Sequence, residues 1–197
     1  MAQHYMELMS TPEVARAQEQ YYGRSMVPGA GSPVDVLGQE ELDFIAARDS
    51  FYLASVTETG WPYVQHRGGP PGFLQPINHR TLAFADYRGN RQMLSTGNLA
   101  TNDRVSLFLM DYPRRERLKL LGHSRVVDAK DLPEVAAKLI GAPGMPVERI
   151  FFIDVVGFDW NCPKYITPRY TAAEVEELLD PLRRRIAELE GTLRKTL

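Results

Sequence analysis

The residues with the clearest chemical potential follow an apolar run that ends at Asp86. Residues 87–92 then read Tyr-Arg-Gly-Asn-Arg-Gln. A glycine permits a sharp turn after the strand, and an asparagine that caps a following helix leaves backbone N–H groups and a positive helix end for an anion. Arg91 adds a guanidinium that can bind a phosphate through two hydrogen bonds. The pattern predicts a phosphate site, and its alternative is a plain surface turn.

A second segment combines a His-Arg pair with a loop that is almost free of side chains. Residues 65–73 read Gln-His-Arg-Gly-Gly-Pro-Pro-Gly-Phe. Glycines let a planar ligand approach backbone N–H groups, and prolines reduce the entropy lost when a loop becomes ordered. The alternative is a β-bulge followed by a proline-stiffened turn. His66 has no second histidine or carboxylate at metal-ligand spacing, so no metal is predicted.

The third segment, residues 160–170, is dense in groups that stack, donate hydrogen bonds or carry positive charge. Lys164 and the aromatic residues around it are predicted to line an anionic planar ligand, and the alternative is a rigid surface loop. Cys162 is interpreted as a small core residue rather than a nucleophile, as most lone cysteines are. Arg117 and Lys119 alternate along a predicted strand, so both side chains share one face, towards the ligand or towards solvent.

Composition limits the classes of protein to which the chain can belong. Its 197 residues are enough for one well-buried core, and 24% charged with 44% hydrophobic residues is ordinary for a globular protein. The net charge of -2 provides no basic face for nucleic-acid phosphates. We therefore expect one domain and no nucleic-acid partner.

Cys162 is the only cysteine, which excludes an intramolecular disulfide and a cysteine-cluster metal site. Residues 1–10 have neither the basic flank nor the apolar run of a signal peptide, and Asp154 interrupts the apolar segment 151–158. We expect a cytoplasmic protein without a membrane partner.

Short strands between helices are expected to position the three segments. Helices are predicted from residue 12 to about residue 22, over 40–48, from Asp131 to a closing Gly141, and after Tyr170, with a short helix and loop over 90–101. Strands are predicted over residues 51–57, 61–66, 81–86, 104–111, 117–121, 123–128 and 150–156. In the last helix Thr171 and Glu174 form a capping box, Leu and Ile recur on one face, and Pro181 is expected to kink or restart the helix.

This order of elements predicts a mainly β fold with α additions, a small antiparallel barrel. The single domain is expected to consist of an N-terminal helix and loop (1–39), a barrel core (40–169) and a C-terminal helix (170–197).

In combination, the three segments resemble the pyridoxamine 5′-phosphate oxidase-like FMN-binding proteins, which share a split β-barrel. The likeness runs from about residue 40 to residue 169 and is greatest to a subgroup with an Asn-Cys-Pro-Lys-Tyr-Ile motif, here residues 161–166. The glycine turn before Arg91 and the strand start Asn-Asp-Arg-Val-Ser-Leu at 102–107 belong to the same pattern.

The resemblance implies FMN at the interface of a homodimer. It implies phosphate contacts from Asn90, Arg91 and Gln92, isoalloxazine contacts from His66, Arg67 and Gly68, ribityl contacts from Ala85 and Asp86, added phosphate contacts from Arg117 or Lys119, and closure by Trp160, Asn161, Cys162, Lys164 and Tyr165. The residues by themselves support only the phosphate turn and the backbone-accessible glycine loop.

The resemblance also implies an FMN-dependent oxidoreductase that passes electrons between a small substrate or NAD(P)H and an acceptor such as oxygen. No glycine-rich dinucleotide fingerprint follows a predicted strand, so NAD(P)H would bind transiently. Authentic pyridoxamine phosphate oxidases end in a Trp-rich segment with an Arg-Leu pair, whereas this chain ends in a charged helix, which argues against a vitamin B6 substrate. The alternatives are a protein that stores FMN or senses its redox state, and a barrel that binds haem or a deazaflavin.

Overall fold

The computed structural model describes residues 3–89, 91–139, 141, 145–160 and 163–196. By its internal contacts the chain divides into two compact units. The first unit comprises residues 1–110 and 117–162, and the second comprises residues 111–116 and 163–197.

The described residues form an antiparallel sheet with helices before, between and after its strands. The helices are α1 (Gln3–Met9), α2 (Pro12–Tyr22), α3 (Gln39–Ala46), α4 (Leu94–Leu99), α5 (Pro133–Lys138) and α6 (Ala172–Thr196), with a 3-10 turn at Ala129–Asp131. The strands are β1 (Ser50–Val56), β2 (Pro62–Gly68), β3 (Gln75–Pro76), β4 (Thr81–Tyr87), β5 (Arg104–Asp111), β6 (Glu116–Asp128) and β7 (Val147–Trp160). Their order in the sheet is β2-β1-β5-β6-β7-β4-β3.

The sheet curls until strands far apart in its order meet. β2 is first and β4 sixth in the order, yet Arg67 of β2 and Asp86 of β4 form an ion pair of 2.6 Å. The rings of Phe51 on β1 and Phe84 on β4 lie 5.4 Å apart in an edge-to-face contact. A flat sheet would hold these strands several strand spacings apart, so the sheet encloses a core. The predicted mainly β fold with α additions is confirmed.

Alternation along the strands explains where that core lies. In β5 the residues from Val105 to Asp111 alternate between buried and partly exposed positions, as a strand with one covered face does. The principal core cluster contains leucine and phenylalanine side chains of β1, β4, β5, β6 and β7 together with Phe44 and Ile45 of α3. A smaller cluster around Ala83, Ile150 and Phe152 lies under residues of α5.

Two predicted strands, 117–121 and 123–128, are one strand. β6 is continuous, and its register against β7 shifts between Leu121 and Gly122. A Cβ at Gly122 would lie 2.7 Å from the carbonyl oxygen of Asp154, so only a glycine fits there without a shift of the backbone. The glycine that suggested a break marks a β-bulge instead.

Several predicted helix boundaries are wrong. The helix expected to begin at Asn90 begins at Leu94, because Met93 is its N-cap residue. α5 ends at Lys138 and its C-cap residue is Leu139 in an extended conformation, so Gly141 does not close it. α1 and β3 were not predicted, since neither has a distinctive start signal. The two-residue β3 pairs with β4 at Gln75 and Pro76.

The second unit contains α6, which begins as predicted. The backbone N–H of Thr171 donates to the Glu174 carboxylate at 2.7 Å, and the N–H of Glu174 donates to the Thr171 hydroxyl at 3.2 Å. Pro181 lies inside the helix and does not divide it. No described helix is both long and apolar enough to cross a membrane.

Candidate functional site

A cavity of about 510 Å³ lies in the first unit where β2 and β4 meet. Its wall combines the end of β4, one face of β2, the turn that leads into α4, and the start of β7. The lining residues are Tyr63, Gln65, Arg67, Asp86, Tyr87, Gly89, Arg91, Gln92, Met93, Leu94, Ser95, Thr96, Glu148 and Arg149. Its volume lies in the range of small-molecule sites, ~300–1,000 Å³.

A buried carboxylate organises the positive charge of this cavity. Asp86 accepts a hydrogen bond of 2.6 Å from Nη1 of Arg67 and one of 2.8 Å from Nε of Arg149. Arg149 also lies 3.1 Å from the carboxylate of Glu148. Asp86 and Arg149 face each other in the β4–β7 register, so the antiparallel pairing itself places the anion beside the cation.

Arg67 is held on several sides, and one of its donors is unused. Its guanidinium carbon lies 4.9 Å from the ring centroid of Phe151 and 5.4 Å from that of Phe84, within cation–π range. Its Nε is buried and has no hydrogen-bond partner among the described residues. A buried donor without a partner costs about 1–3 kcal/mol, so a ligand that accepts from this group would recover that cost.

The turn beside Arg91 is conformationally strained. Arg91 has φ 61° and Met93 has φ 56°, the left-handed region that residues other than glycine seldom adopt. Each such residue costs about 1–2 kcal/mol, and strain of this kind is concentrated at functional sites. α4 has only six residues, and no side-chain hydrogen bond caps it. The helix N-terminus that was predicted to face the anion is therefore not the main feature here, and the strained turn at Arg91 and Met93 takes its place. Asn90 itself lies outside the described residues.

Hydrogen bonds from buried side chains anchor the segment after this turn. The hydroxyl of Ser95 donates to Oε1 of Gln65 at 2.8 Å. The amide of Asn98 donates to the hydroxyl of Ser55 at 2.9 Å. Because these bonds reach β2 and β1, they hold α4, which follows the turn, against the sheet.

The structure brings together four of the predicted site residues. Arg67, Asp86, Arg91 and Gln92 all line the cavity. They come from three separate stretches of sequence, and the curling of the sheet unites them. Arg91 is exposed at the rim, and Asp86 is 9% exposed at the base.

Three neighbours of these residues do not line the cavity. His66 follows Gln65 on β2 and so faces the opposite side of the strand, where its ring lies 5.7 Å from that of Tyr52. Gly68 ends β2 close to the His66 ring, because a Cβ there would lie 3.0 Å from Cε1. Ala85 is buried and precedes Asp86, so it faces the other side of β4.

Arg117, Lys119 and Trp160 lie elsewhere in the first unit. Arg117 lies over the ring of Phe108 at 5.9 Å, and its Nε is buried with no hydrogen-bond partner in the part of the chain that the structure describes. Lys119 pairs with Asp159 at 2.9 Å. Trp160 donates from its indole nitrogen to Glu41 at 2.7 Å and packs against the core.

The remaining predicted residues belong to the motif 161–166. Asn161 and Cys162 lie outside the described residues. Lys164 is exposed in the second unit, and Tyr165 is fully exposed there with φ 64°. All the residues that line the cavity between β2 and β4 belong to the first unit.

Sequence reasoning missed several lining residues. Arg149 gives no local signal, since its role depends on pairing with a strand about 60 residues away. Tyr63 and Gln65 could have been found from the strand period, because they share a face with Arg67. Met93 is marked only by its positive φ of 56°, which the sequence does not reveal.

The charge of the cavity favours an anion. Three arginines and two acidic residues line it, an excess of one positive charge. Among the described residues no group of three or more His, Cys, Asp or Glu side chains could hold a metal ion. The arginine excess therefore suits a ligand that carries negative charge.

The sequence model of the family described as pyridoxamine 5′-phosphate oxidase matches residues 37–151, more than half of the chain. The chain belongs to the pyridoxamine 5′-phosphate oxidase family. All the residues that line the cavity fall within the matched segment. Residues 152–169, which include the motif 161–166, lie beyond it.

Solved structures share the fold of this pyridoxamine 5′-phosphate oxidase family member. A Lactobacillus delbrueckii protein provisionally assigned as a pyridoxamine 5′-phosphate oxidase is 18% identical, covers 63% of this chain and 93% of its own, and superposes with a TM-score of 0.51. HupZ of Group A Streptococcus is 13% identical, covers 68% of this chain and 99% of its own, and has a TM-score of 0.50. At these identities the likeness establishes the split-barrel fold alone. No curated protein matches the chain in sequence.

Proposed function

We propose that this protein is an FMN-dependent oxidoreductase that binds the flavin in the cavity between β2 and β4. The observation that carries the proposal is the cavity itself. It joins an exposed arginine on a strained turn to a buried arginine with an unused donor, within the segment that defines the family. In this assignment the phosphate binds at Asn90, Arg91 and Gln92.

The described residues fit FMN in size and in chemistry. The cavity volume of about 510 Å³ admits a ligand of that class. Arg91 supplies a guanidinium for a dianionic phosphate at the rim. Tyr63 and Tyr87 supply aromatic surface, and the buried Nε of Arg67 supplies a donor for a polar edge.

When bound, FMN would supply hydride or electron transfer, and the protein would supply position and electrostatics. Arg67 would offset negative charge beside the ring, a contribution that grows in a water-poor site. Asp86 would hold Arg67 and Arg149 in place through its two hydrogen bonds. The substrate in this proposal is a small molecule or NAD(P)H, and the acceptor is one such as oxygen.

A homodimer is part of this proposal. The cavity is open on one side, and several residues that the resemblance implies lie away from it in a single chain. We assign His66, Gly68, Arg117, Lys119, Lys164 and Tyr165 to the side of the flavin site that a second copy completes. The same proposal places the protein in the cytoplasm, where reduced nicotinamide cofactors are available.

The phosphate assignment is tested by FMN titration of two matched variants. Arg91→Ala should weaken binding by roughly 10- to 100-fold, the loss of about 1.5–3 kcal/mol expected for a charged hydrogen bond. Arg88→Ala, three residues earlier and outside the cavity lining, should bind like the wild type. Equal losses of FMN affinity in both variants would show that the phosphate does not bind at Arg91. A chain that binds no added FMN would refute the proposal.

Turnover is tested on the FMN-loaded protein. Anaerobic addition of NADH or NADPH should bleach the flavin absorbance, and admission of air should restore it. A flavin that binds tightly but is not reduced by either nucleotide would favour a protein that stores FMN or senses its redox state. Preferential binding of haem or a deazaflavin would favour a barrel that binds one of those molecules instead of FMN.

A further inference from the structure

α6 carries a heptad repeat from Ala172 to Leu193. Written as abcdefg from Ala172, the repeat places an apolar residue at each a and d position from Ala172 to Leu193. The a positions are Ala172, Leu179, Ile186 and Leu193, and the d positions are Val175, Leu182 and Leu189. A strict 3.5-residue repeat sustained for three heptads is the pattern of a left-handed coiled coil, and an isolated amphipathic helix does not require it.

This seam is exposed. Leu182 is 60% exposed, Ile186 56% and Leu193 62%. The helix of 25 residues is about 37 Å long at 1.5 Å per residue. Helices in proteins derive most of their stability from packing of an apolar face, so a helix of this length with a bare seam needs a partner surface.

Residues that disfavour coiled-coil packing lie off the seam. Pro181, which lacks an N–H, occupies a c position, and Gly191 occupies an f position. Both positions face away from the partner in a two-stranded coil. One of the four a positions, Ile186, is β-branched and is flanked by Leu182 and Leu189 at d, the combination that favours two strands.

The charges beside the seam select the orientation of the partner. In a parallel coil the g residue of one helix meets the e residue five positions later in its partner, which brings Arg185 beside Glu190 of the second copy, twice per dimer. Within one helix Arg185 contacts Glu188 at 3.0 Å, and a guanidinium has donors for both acids. An antiparallel pair centred on Arg183 would instead set that residue against itself.

We propose that α6 is a dimerisation helix that forms a parallel, in-register, two-stranded coiled coil with α6 of a second copy of this chain. The proposal is independent of the flavin site, because it rests on a helix that contributes nothing to the cavity lining. A parallel pair closes with two-fold symmetry, as a homodimer does. If the barrels also associate, the coil forms at a high effective concentration and needs little affinity of its own.

Cysteine cross-linking of the full chain tests the register. In a Cys162→Ser background, Ile186→Cys should give a disulfide-linked dimer under mild oxidation, because equivalent a positions meet across the seam within disulfide reach. Arg184→Cys, at an f position, is the matched control and should stay monomeric on denaturing gels, as should Cys162→Ser alone. Cross-linking of Ile186→Cys no greater than that of Arg184→Cys would overturn the proposal, whatever the state of the barrels.

Charge exchange tests the orientation. Chains with Arg185→Glu and chains with Glu190→Arg, each also carrying Ile186→Cys, should prefer each other when mixed, because both mixed pairs are attractive and all like pairs repel. Two pairs of about 0.5 kcal/mol each predict roughly fivefold more mixed than like dimer. A statistical mixture would overturn the parallel arrangement, and it is the result expected if the seam packs on its own barrel. Flavin binding is measured separately, so failure of the coil and failure of the flavin site are distinguishable.

Discussion

Two buried carboxylates of the first unit, Asp86 and Glu41, are similarly inaccessible and held by different donors. Asp86 is 9% exposed and Glu41 is 7% exposed. Asp86 is held by the guanidinium groups of Arg67 and Arg149 at 2.6 and 2.8 Å. Its charge is therefore balanced by cations that line a cavity.

In the described part of the chain, the donors to Glu41 are neutral. It accepts from the backbone N–H of Gly38 at 2.9 Å and from the indole N–H of Trp160 at 2.7 Å. The first bond caps the start of α3, and the second fixes an indole that packs edge-to-face on Phe44 at 4.8 Å. The difference teaches that burial alone does not mark a ligand site: Glu41 closes a structural contact, whereas Asp86 concentrates positive charge where a ligand can reach it.

The largest effect is expected from Asp86→Ala. It leaves the largely buried guanidinium of Arg67 without its counter-charge and removes one of the two carboxylates that Arg149 contacts, so we expect a loss of about 2–3 kcal/mol in the free energy of unfolding. In a chain of this size that corresponds to a Tm lower by roughly 5–10 °C, measured by differential scanning fluorimetry.

Formate sharpens this test, because a small carboxylate can replace the missing one. Sodium formate should raise the Tm of Asp86→Ala more than the same concentration of sodium chloride does, and the wild type should show no such difference. A variant as stable as the wild type, or one indifferent to formate, would contradict the role assigned to Asp86.

A smaller effect is expected from Glu41→Ala. The variant loses the helix-capping hydrogen bond and removes the acceptor of the Trp160 indole. We expect the free energy of unfolding to fall by about 1–2 kcal/mol. The Tm should fall by roughly 3–6 °C, formate should have no specific effect, and FMN affinity should be unchanged. Glu40→Gln, the exposed neighbour, serves as control. A Glu41→Ala variant that loses FMN affinity would erase the distinction between the two carboxylates.

The sequence predicted those features of the Asp86 site that depend on local patterns of residues. The strand that carries Asp86 and the glycine turn after it are visible as an apolar run and a break, and Arg67 follows from the His-Arg pair before the glycines. The family resemblance added the flavin. Each of these signals is local, confined to a few consecutive residues of the chain.

The contacts of both carboxylates depend on pairing across long separations and could not be read from the sequence. Arg149 reaches Asp86 through the β4–β7 register, and Trp160 reaches Glu41 through packing of β7 on α3. The strand period does show that His66 and Arg67 point in opposite directions, so treating them as one pair overlooked available information. The strain at Met93 has no sequence signature, because methionine is common in ordinary helices and loops.

A third carboxylate, Glu7 of α1, extends the comparison to a partly exposed position and has the smallest expected effect. Its two oxygens accept from the backbone N–H groups of Gly31 and Ser32, both at 2.9 Å. These hydrogen bonds, that of Gly31 first, hold the pKa of Glu7 below its ordinary value. A carboxyl whose pKa is lowered by folding contributes stability above its unfolded pKa and loses it as the pH falls through the folded one.

Acidification should therefore release the loop at residues 31 and 32 from Glu7. In two-dimensional NMR spectra the amide signals of Gly31 and Ser32 should shift progressively below about pH 4.5, because protonation removes the charge that strengthens both hydrogen bonds. Glu7→Gln should abolish that pH response and lower the Tm slightly at pH 7, because the amide offers one acceptor oxygen to two N–H donors. If the two amide signals titrate identically in Glu7→Gln, the response belongs to another group. The comparison of carboxylates by their donors would then apply to Asp86 and Glu41 alone.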